Sequence, residues 1–579
     1  MAQSSPIMTR TVRRQPLSSR LKGVAGLLLA GGGTTLAPHA AAELDPVLFA
    51  QLQERARHHA SEPYVPADTT LPEALQTLDY DGHRDIRCPP ASFLWADSDR
   101  PFRLQFKHRG WLFGDEVKLF TAEPDTARVA PLPFKPGRFT YGPLALEKLD
   151  PAALPEGLGY AGLSLHRVGP VDRDGQETYN EIMSFQGGCY FRAVGHGQHW
   201  GASVRAVAID TALAHPEEFP RWAELWAQPP APGDPTVTLY GLMDGPSVAG
   251  AYAMVVTPGT PDRPTLSVDV TSRLYFRKPV EKLGLAPITS MFLFGEATPA
   301  RHGDYRPEVH DSDGLVLQHA DGSLDWRPLR NPPHLAVSRF KMTDPRGFGL
   351  VQRDRNFNHY EDLETEMQIR PSVWVTPRHF HQAASADADA APVAHTGRKP
   401  WGDGWVELLE IASDDEGIDN IGAYWVPAHA DELGAGSVVD LSYRLDFTRE
   451  ARPENRGGVI PWASTRTVLG DGSADSNAQS LVRTVVLDDA DGRPVGRFLI
   501  DSAPDTALPS GTIVRADVSI GRGELVKQPT IQYNRFTHSY RLFFDVRAEG
   551  QEPVELRATL RGDAGQALSE TWLYRWDQP

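Results

Sequence analysis

The chain has 579 residues, of which 58 are Lys or Arg and 75 are Asp or Glu, and its net charge at pH 7 is −17. A surface with this excess of acid repels phosphates, so neither nucleic acid nor anionic lipid is an expected partner. The two cysteines, Cys88 and Cys189, are too few for a disulfide framework or a cysteine-based zinc site, although one disulfide between them is possible. The length favours two domains.

The first 42 residues have the pattern of an export signal. Arg13 and Arg14 are followed by an apolar run at 23–33 and by three alanines at 40–42. Paired arginines, a short apolar run and an A-x-A cleavage site are typical of a twin-arginine signal. The apolar run is about half of the roughly 20 residues that a membrane-spanning helix needs. We therefore expect a signal peptide over 1–42, export by the twin-arginine route and a periplasmic mature protein.

Helical patterns are few in the rest of the chain. The segment Asp45–Ser61 opens with an Asp that can cap the first turn, has Pro46 in that turn and repeats apolar residues at helical spacing. This segment is predicted to be an α-helix. Weaker patterns predict short helical pieces at 71–78 and 216–226.

Period-two alternation of apolar and polar residues dominates elsewhere, and the 51 Gly and 49 Pro separate the alternating runs. Many short strands with frequent turns are typical of antiparallel β-sandwiches, so we predict an all-β fold. The clearest strand candidates are 236–242, 251–257, 265–276, 438–447, 481–487, 511–520, 540–548, 554–560 and 571–576.

Two stretches without periodicity suggest how the chain is organised. Residues His379–Pro400 are rich in Ala, Asp and His and are predicted to be a long surface insertion. Residues Glu450–Gly458 are polar and precede a last block with roughly seven strand candidates, which is the size of an immunoglobulin-like sandwich. We predict a large β-sandwich domain over 43–450 and an immunoglobulin-like β-sandwich domain over 451–579.

Common cofactor and metal motifs are not matched. The glycines at 195, 197 and 201 lack the spacing of a dinucleotide-binding loop, and the run His310–Gly314 has its glycine too early for a calcium loop. The sequence has no H-E-x-x-H pair and no G-x-S-x-G elbow. We therefore predict neither a cofactor nor a bound metal.

Polar and aromatic residues concentrate in four segments of the larger predicted domain, at 190–210, 305–328, 352–374 and 401–425. Carbohydrate sites combine aromatic rings, which stack on sugar faces, with polar side chains, which bond hydroxyl groups. Cleavage of a glycosidic bond further requires two carboxyl groups, one protonated and one ionised. For any single Asp, a cap or a surface ion pair is the more common role, so the hypothesis of a carbohydrate site depends on the four segments together.

Several runs in these segments resemble a known family, the periplasmic glucan biosynthesis proteins that include OpgG and OpgD, formerly MdoG and MdoD. The twin-arginine-type signal is most similar to the D branch of that family. The insertion at 379–400 and Cys189 depart from its pattern. The matching runs are YFRAVGHGQHWGASVRAVAIDTA (190–212), SMFLFGE (290–296), YRPEVHDSDGL (305–315), WRPL-NPPHL (326–335), GFGLVQRDRNF (347–357), RPSVWV (370–375) and VELLEI…DNI-AYW (406–425).

The resemblance implies a galactose-mutarotase-like supersandwich followed by an immunoglobulin-like sandwich. It also implies action on β-1,2-glucan, by an inverting endo-β-1,2-glucanase or by a transglycosylase that can cyclise the chain. By the same resemblance Asp419 matches the general acid, and the base-side carboxylate lies in the HDSDG run, with Asp311 as first choice and Asp313 as second. The other side chains expected at the substrate are Tyr305, Arg306, Trp326, Arg353, Asp354, Tyr360, Trp374 and Glu416.

Two hypotheses of other classes stay open at the level of sequence. One is a non-catalytic module that binds nascent glucan, and the other is a structural partner of the inner-membrane glucan glucosyltransferase. The sequence does not separate hydrolysis from transglycosylation, or a monomer from a homodimer. If there is a glucan groove, the aromatic rings of Tyr305, Trp326, Tyr360 and Trp374 are expected to face it together.

Overall fold

The computed structural model describes residues 44–123, 128–173, 177–296, 298, 300, 303–383, 400–450, 463–470, 487–488, 494–503 and 512–577. The predicted signal peptide, most of the insertion at 379–400 and the predicted strand at 481–486 lie outside these residues. The domain boundary near residue 450 also falls at their edge and stays a prediction.

Helices are few and mostly short. Helix α1 confirms the first helix prediction, because Asp45 caps it by accepting hydrogen bonds from the backbone N–H groups of Val47 and Leu48. In the described part of the chain, no helix is long and apolar enough to cross a membrane. The helices are α1 Pro46–Ser61, α2 Glu73–Gln76, α3 Tyr80–Arg84, α4 Pro143–Leu146 and α5 Phe357–Tyr360, and the 3₁₀ turns are Pro90–Ser92, Pro136–Arg138, Pro151–Ala153, Met367–Ile369 and Ala430–Glu432.

Strands make up 48% of the structure and helices 11%, which confirms the all-β fold. In chain order the strands are β1 Ile86–Arg87, β2 Phe102–His108, β3 Lys118–Glu123, β4 Arg128–Pro131, β5 Thr140–Tyr141, β6 Tyr160–Val171, β7 Glu177–Gln186, β8 Tyr190–Ala193, β9 Ser203–Arg205, β10 Val207–Ile209, β11 Arg221–Gln228, β12 Val237–Asp244, β13 Val248–Thr257, β14 Leu266–Phe276, β15 Leu283–Ser290, β16 Phe292–Phe294, β17 Val309–His310, β18 Gly314–Gln318, β19 Leu324–Pro328, β20 Ala336–Thr343, β21 Gly347–Val351, β22 Ser372–Ala383, β23 Asp403–Glu410, β24 Ile421–Pro427, β25 Val438–Thr448, β26 Ala463–Gly470, β27 Leu487–Asp488, β28 Pro494–Ala503, β29 Arg515–Ile520, β30 Glu524–Leu525, β31 Thr530–Asn534, β32 Ser539–Arg547, β33 Val554–Arg561 and β34 Thr571–Trp576.

Two large sheets build most of the fold. Among the described residues, the first has ten strands in the order β2-β6-β7-β8-β9-β15-β24-β23-β20, with β10 also on β15. The second has fourteen, in the order β29-β33-β34-β19-β18-β21-β22-β25-β14-β13-β12-β11-β3-β4. One continuous apolar core takes side chains from both sheets, for example Phe106 and Leu163 from the first and Leu239 and Val268 from the second. The larger part of the chain is therefore a β-sandwich.

The C-terminal block forms a second, smaller sandwich. Strands β29, β33 and β34 extend one end of the fourteen-stranded sheet, and β34 pairs in parallel with β19. Strands β26, β28, β32 and β30 form a separate sheet together with β27 and β31. The core between them takes Phe498 and Phe544 from the separate sheet and Trp572 from β34, and it also takes Trp326 and Trp374 from the earlier part of the chain. This core therefore ties the C-terminal block to strands β19 and β22 of the earlier part of the chain.

The predicted helical piece at 216–226 is wrong, because residues Arg221–Gln228 form strand β11. This strand lies inside the fourteen-stranded sheet, antiparallel to β12 and parallel to β3. Its side chains are buried on both faces, since α1 covers the outer face at Trp226 and the main core covers the inner face at Trp222. A strand covered on both faces loses the alternation by which strands are recognised in a sequence.

Candidate functional site

Asp419 lies at the end of the loop that joins β23 to β24, and its neighbour Asn420 fixes its position. The side chain of Asn420 is buried. Its Oδ1 accepts a hydrogen bond from the backbone N–H of Phe292 at 2.8 Å, and its Nδ2 donates to the backbone oxygens of Phe292 and Ile411 at 2.9 and 3.0 Å. One amide group thus joins both ends of the loop to strand β16, and it holds the Asp419 backbone in place.

The carboxylate of Asp419 is held by hydroxyl groups. Thr289 Oγ1 donates a hydrogen bond to its Oδ2 at 2.8 Å, and Ser203 Oγ donates to the same oxygen at 3.2 Å. Among the residues that the structure describes, no Lys, Arg or His forms an ion pair with it within 4.0 Å. Since both donors occupy Oδ2, the other oxygen is the one that can carry and release a proton.

A short chain of polar side chains supports Ser203. Its Oγ lies 2.6 Å from the hydroxyl of Tyr190 and 3.0 Å from Arg192 Nε, which donates to it. Burial raises the pKa of Tyr190, and Asp419 adds to this effect, so that Tyr190 stays protonated and can donate. Because Ser203 receives hydrogen bonds from these two residues, its own proton is available for Asp419.

Arg370 connects the surroundings of Asp419 to the HDSDG run. It forms an ion pair with Asp311 Oδ1, and both side chains are largely buried. Burial, together with the positive charge of Arg192, lowers the pKa of Arg370 to about 10, while Asp419 and Glu416 act in the opposite direction. A methyl group on Gly201 would lie 2.9 Å from Arg370 Cβ, so this glycine leaves the space that the arginine side chain needs.

Asp313 occupies a different environment from Asp311. Its Oδ2 accepts hydrogen bonds from the backbone N–H groups of Arg353 and Asp354, the latter at 2.9 Å. Its Oδ1 lies 3.7 Å from His310 Nε2, and its side chain is 18% exposed compared with 5% for Asp311. The two candidate base residues therefore differ in both partner and exposure.

His310 is a buried cation between carboxylates. Its Nε2 lies 2.8 Å from Glu308 Oε2, and its Nδ1 lies 3.1 Å from Gln352 Oε1. Burial alone would lower the pKa of His310, but the hydrogen bond to Glu308 and the charges of Asp313, Glu308 and Asp354 outweigh burial and raise it to about 9. The imidazolium therefore balances part of the negative charge of this cluster at neutral pH.

Arg306 joins three loops at the rim of the site. Its guanidinium contacts Asp304, Asp362 and Glu416, each at 2.8–2.9 Å. These hydrogen bonds raise the pKa of Arg306, and the one that Arg306 donates to Asp304 is the largest cause. Glu416 belongs to the same loop as Asp419, so Arg306 also fixes the outer part of that loop. Both residues were expected to contact substrate, and the structure gives them each other as partners.

The expectation that four aromatic rings face one groove is wrong. Trp326 and Trp374 pack in the core of the C-terminal sandwich, and Tyr360 is fully buried, with its hydroxyl accepting from Gln352 Nε2 at 3.0 Å. Of the four, Tyr305 alone is exposed, at 73%. Trp326 on β19 and Trp374 on β22 face the C-terminal sandwich. The sequence alone does not show that the C-terminal sandwich covers this face of the two strands.

The other two expected substrate contacts are also engaged within the protein. Arg353 forms a two-bond ion pair with Glu570 and is 7% exposed. Asp354 accepts hydrogen bonds from His359 Nδ1 and from the backbone N–H of Asn356. None of these contacts involves Asp419.

Within the described part of the chain, two overlapping groups of side chains have the spacing to hold a metal ion. They are Glu308, Asp354 and His359, and Glu308, His310 and Asp313, with the ligand atoms of each group within 4.8 Å of one another. Imidazole and carboxylate ligands suit several divalent ions. In both groups, however, a histidine nitrogen already faces a carboxylate oxygen, so these contacts are also explained by ion pairs.

The sequence interpretation missed three residues that shape the site. Thr289, Ser203 and Arg370 were given no roles, although Ser203 and Arg370 lie inside the runs that carry the family resemblance. Thr289 directly precedes the run SMFLFGE. The resemblance therefore indicated the part of the chain in which these residues lie. Their pairing with Asp419 and Asp311 depends on which strands are neighbours, and a single sequence does not reveal this.

Comparison with known families decides the classification. A family model described as "Periplasmic glucan biosynthesis protein, MdoG" matches residues 48–576. The chain belongs to this family. The match begins in α1, ends at the last residue of β34, and includes every site residue named above. Membership in the MdoG family confirms the resemblance seen in the sequence and places the protein in periplasmic glucan biosynthesis.

Proposed function

We propose that this MdoG-family protein cleaves or transfers β-1,2-linked glucan chains by an inverting mechanism. The observation that carries the proposal is the setting of Asp419, a half-buried carboxyl group on a rigid loop, oriented by two hydroxyl donors and free of ion pairs among the described residues. A carboxyl group of this kind can be protonated and can hand its proton on. Its surroundings suit the general acid of a glycosidase.

Asp419 is assigned the transfer of a proton to the leaving glycosidic oxygen. As the bond between the anomeric carbon and that oxygen breaks, the oxygen takes the proton from Oδ1, and Asp419 becomes a carboxylate. Thr289 and Ser203 then stabilise the new negative charge through Oδ2, without a change of position. Water, in hydrolysis, or a glucan hydroxyl, in transfer, attacks the anomeric carbon from the opposite face and gives up its proton on the base side.

Asp311 is our first choice for the base side, and Asp313 is the second. Asp311 shares the electrostatic field of Arg370 with Asp419, which supports a place in the same site. Asp313 is more exposed, which supports contact with water. Azide separates the two, because it attacks without needing a base. The Asn variant that has lost the base should regain turnover when azide is added, and the other should not.

The proposal is tested by incubating the purified protein, residues 43–579, with linear β-1,2-glucan and analysing the size, cyclisation and anomeric form of the products. Hydrolysis with inversion yields new reducing ends in the α form, whereas cyclisation yields rings without reducing ends. A polymer that binds but never changes would overturn the enzymatic proposal and favour a glucan-binding module. Asp414→Asn, an exposed acid in the same loop as Asp419, is the matched control.

A further inference from the structure

The segment Gln352–Asn356 holds the HDSDG run at both of its ends. At one end, Gln352 makes two contacts with His310. Its Oε1 lies 3.1 Å from the ring Nδ1, and its Nε2 donates a hydrogen bond to the His310 backbone oxygen at 3.1 Å. At the other end, the backbone N–H groups of Arg353 and Asp354 donate to Asp313 Oδ2. Asp311 lies between these two points, so this segment fixes Asp313 directly and the chain on both sides of Asp311.

The segment is in turn anchored in the C-terminal sandwich. Arg353 Nη1 and Nη2 donate to the two carboxylate oxygens of Glu570 at 2.7 and 3.0 Å. The guanidinium also stacks on Trp326, with 3.6 Å between Cζ and the ring centroid. The side chain of Glu570 is 0% exposed and that of Arg353 is 7% exposed. A paired, two-bond contact of this kind is the most directional that an arginine makes.

Glu570 is itself on a rigid element. It directly precedes β34, whose residue Thr571 pairs with Asp325 of β19, next to Trp326. The C-terminal strand, the tryptophan and the ion pair therefore form one packed unit around Arg353. Movement of Arg353 would break the ion pair and leave a buried charge without its partner, which is costly.

We propose that Glu570 is a positioning residue for the site in the larger sandwich: through Arg353 it holds the segment Gln352–Asn356, and this segment orients the carboxylate of Asp313 and the backbone on both sides of Asp311. The expected effect on turnover rests on the proposed function. The positioning of the segment rests on the contacts described above. Glu570 gives the C-terminal sandwich a role in the reaction.

The test uses Glu570→Gln, which keeps the shape and removes the charge, in the protein of residues 43–579. The matched control is Asp545→Asn, which removes a charge from another two-bond arginine pair of the C-terminal sandwich, with Arg497, at 2.8 and 3.0 Å. Asp545 contacts no residue of the segment 352–356. Two readouts are compared: kcat and KM on β-1,2-glucan, and the exchange rates of the backbone amides of Arg353 and Asp354.

Glu570→Gln is expected to lower kcat by about 10–100-fold with KM changed by less than about threefold, since small displacements of catalytic groups cost turnover more than binding. Asp545→Asn should keep the wild-type kcat. Glu570→Asp, which retains the charge at a shorter reach, should recover part of the loss and also provides a folded variant if Glu570→Gln does not fold. Equal kcat values for Glu570→Gln and Asp545→Asn would overturn the inference.

The amide exchange separates this inference from the proposed function. If the wild-type protein leaves β-1,2-glucan unchanged, the proposed function fails, and the exchange rates still decide the role of Glu570. Faster exchange at Arg353 and Asp354 in Glu570→Gln, but not in Asp545→Asn, supports the positioning role. Unchanged exchange at both amides in Glu570→Gln contradicts it.

Discussion

Glu410 and Asp419 stand at the two ends of the same loop, yet their carboxylates have opposite surroundings. Glu410 is completely buried and contacts Arg327 Nη2 at 3.3 Å, Arg330 Nη2 at 3.2 Å and the backbone N–H of Arg330 at 2.9 Å. Asp419 is half-buried and receives two hydroxyl donors. Glu410 is paired directly with two arginines, whereas Asp419 forms no ion pair within 4.0 Å among the described residues, and Arg370 acts on it from a greater distance.

Glu407, on the same strand as Glu410, belongs to the first kind. It contacts Lys282 Nζ at 2.6 Å, Arg339 Nε at 2.7 Å and the Tyr424 hydroxyl at 2.6 Å. Burial would raise the pKa of Glu407, but these partners outweigh burial and lower it. A carboxylate with such partners stays ionised and holds strands together. Asp419 is instead oriented by hydroxyl groups, and this difference in partners separates a structural acid from a candidate catalytic one.

The largest effect is expected from Asp419→Asn. General acid catalysis contributes about 10²–10⁴-fold, so turnover of β-1,2-glucan should fall by at least the lower figure while glucan binding persists. The unfolding free energy should change by less than about 1 kcal/mol, because the amide oxygen still accepts from Thr289 and Ser203. Turnover and urea denaturation are measured on the same preparation, beside Asp414→Asn.

Glu410→Gln should show the reverse pattern. Removing one partner of a buried ion pair leaves Arg327 and Arg330 with uncompensated charge and typically costs about 3–5 kcal/mol. The denaturation midpoint should fall steeply, while the turnover of the molecules that remain folded stays near the wild-type value. A stable but inactive Glu410→Gln protein would mean that Glu410 belongs with Asp419 rather than with Glu407.

Asn420→Ala should lower both stability and turnover. It removes three hydrogen bonds to backbone groups of Phe292 and Ile411, at a cost of about 1–3 kcal/mol for each group that is buried, as those of Phe292 are. It also frees the loop that carries Asp419, so turnover should fall further than stability alone explains. Asn420→Asp is the conservative comparison, since it keeps the acceptor for the Phe292 N–H and loses both donors.

The smallest effect is a pH dependence of stability from His310. Its pKa in the folded protein, about 9, lies above the ordinary value of 6.5, so its contribution is fully present below pH 6.5 and is lost as the pH rises to 9. The wild-type unfolding free energy should decline over that interval by about 1 kcal/mol or more, and His310→Gln should reduce the decline. Urea titrations at pH 6, 7.5 and 9 measure it, with His429→Gln, at an exposed turn, as control. An equal decline in all three proteins would contradict the account of His310.

Many of the strands were predictable, because apolar and polar residues alternate in a strand that has one face buried. The prediction at 571–576 coincides with β34, and that at 265–276 differs from β14 by one residue. The segment 216–226 was mistaken for a helix because it is covered on both faces. The candidate site residues Asp419 and Asp311 were assigned from the family resemblance of the runs around them, and their roles stay predictions.

Contacts between distant parts of the chain were not predictable. Arg353 pairs with a glutamate 217 residues away, and no pattern near either residue indicates the partner. The same holds for Trp326 and Trp374, whose rings were expected in a groove and lie in the core of the C-terminal sandwich. A single sequence shows which side chains are polar or aromatic, and only the packing of the sheets decides which of them meet.

The central claim, that Asp419 donates the proton to the leaving oxygen, is tested most directly with a β-1,2-glucooligosaccharide that carries a nitrophenyl group at the scissile position. This leaving group needs no proton. Asp419→Asn is expected to lose about 10²–10⁴-fold in turnover on the natural linkage and to act on the nitrophenyl substrate at nearly the wild-type rate. Equal losses on both substrates, or no loss on the natural one, would show that Asp419 is not the general acid.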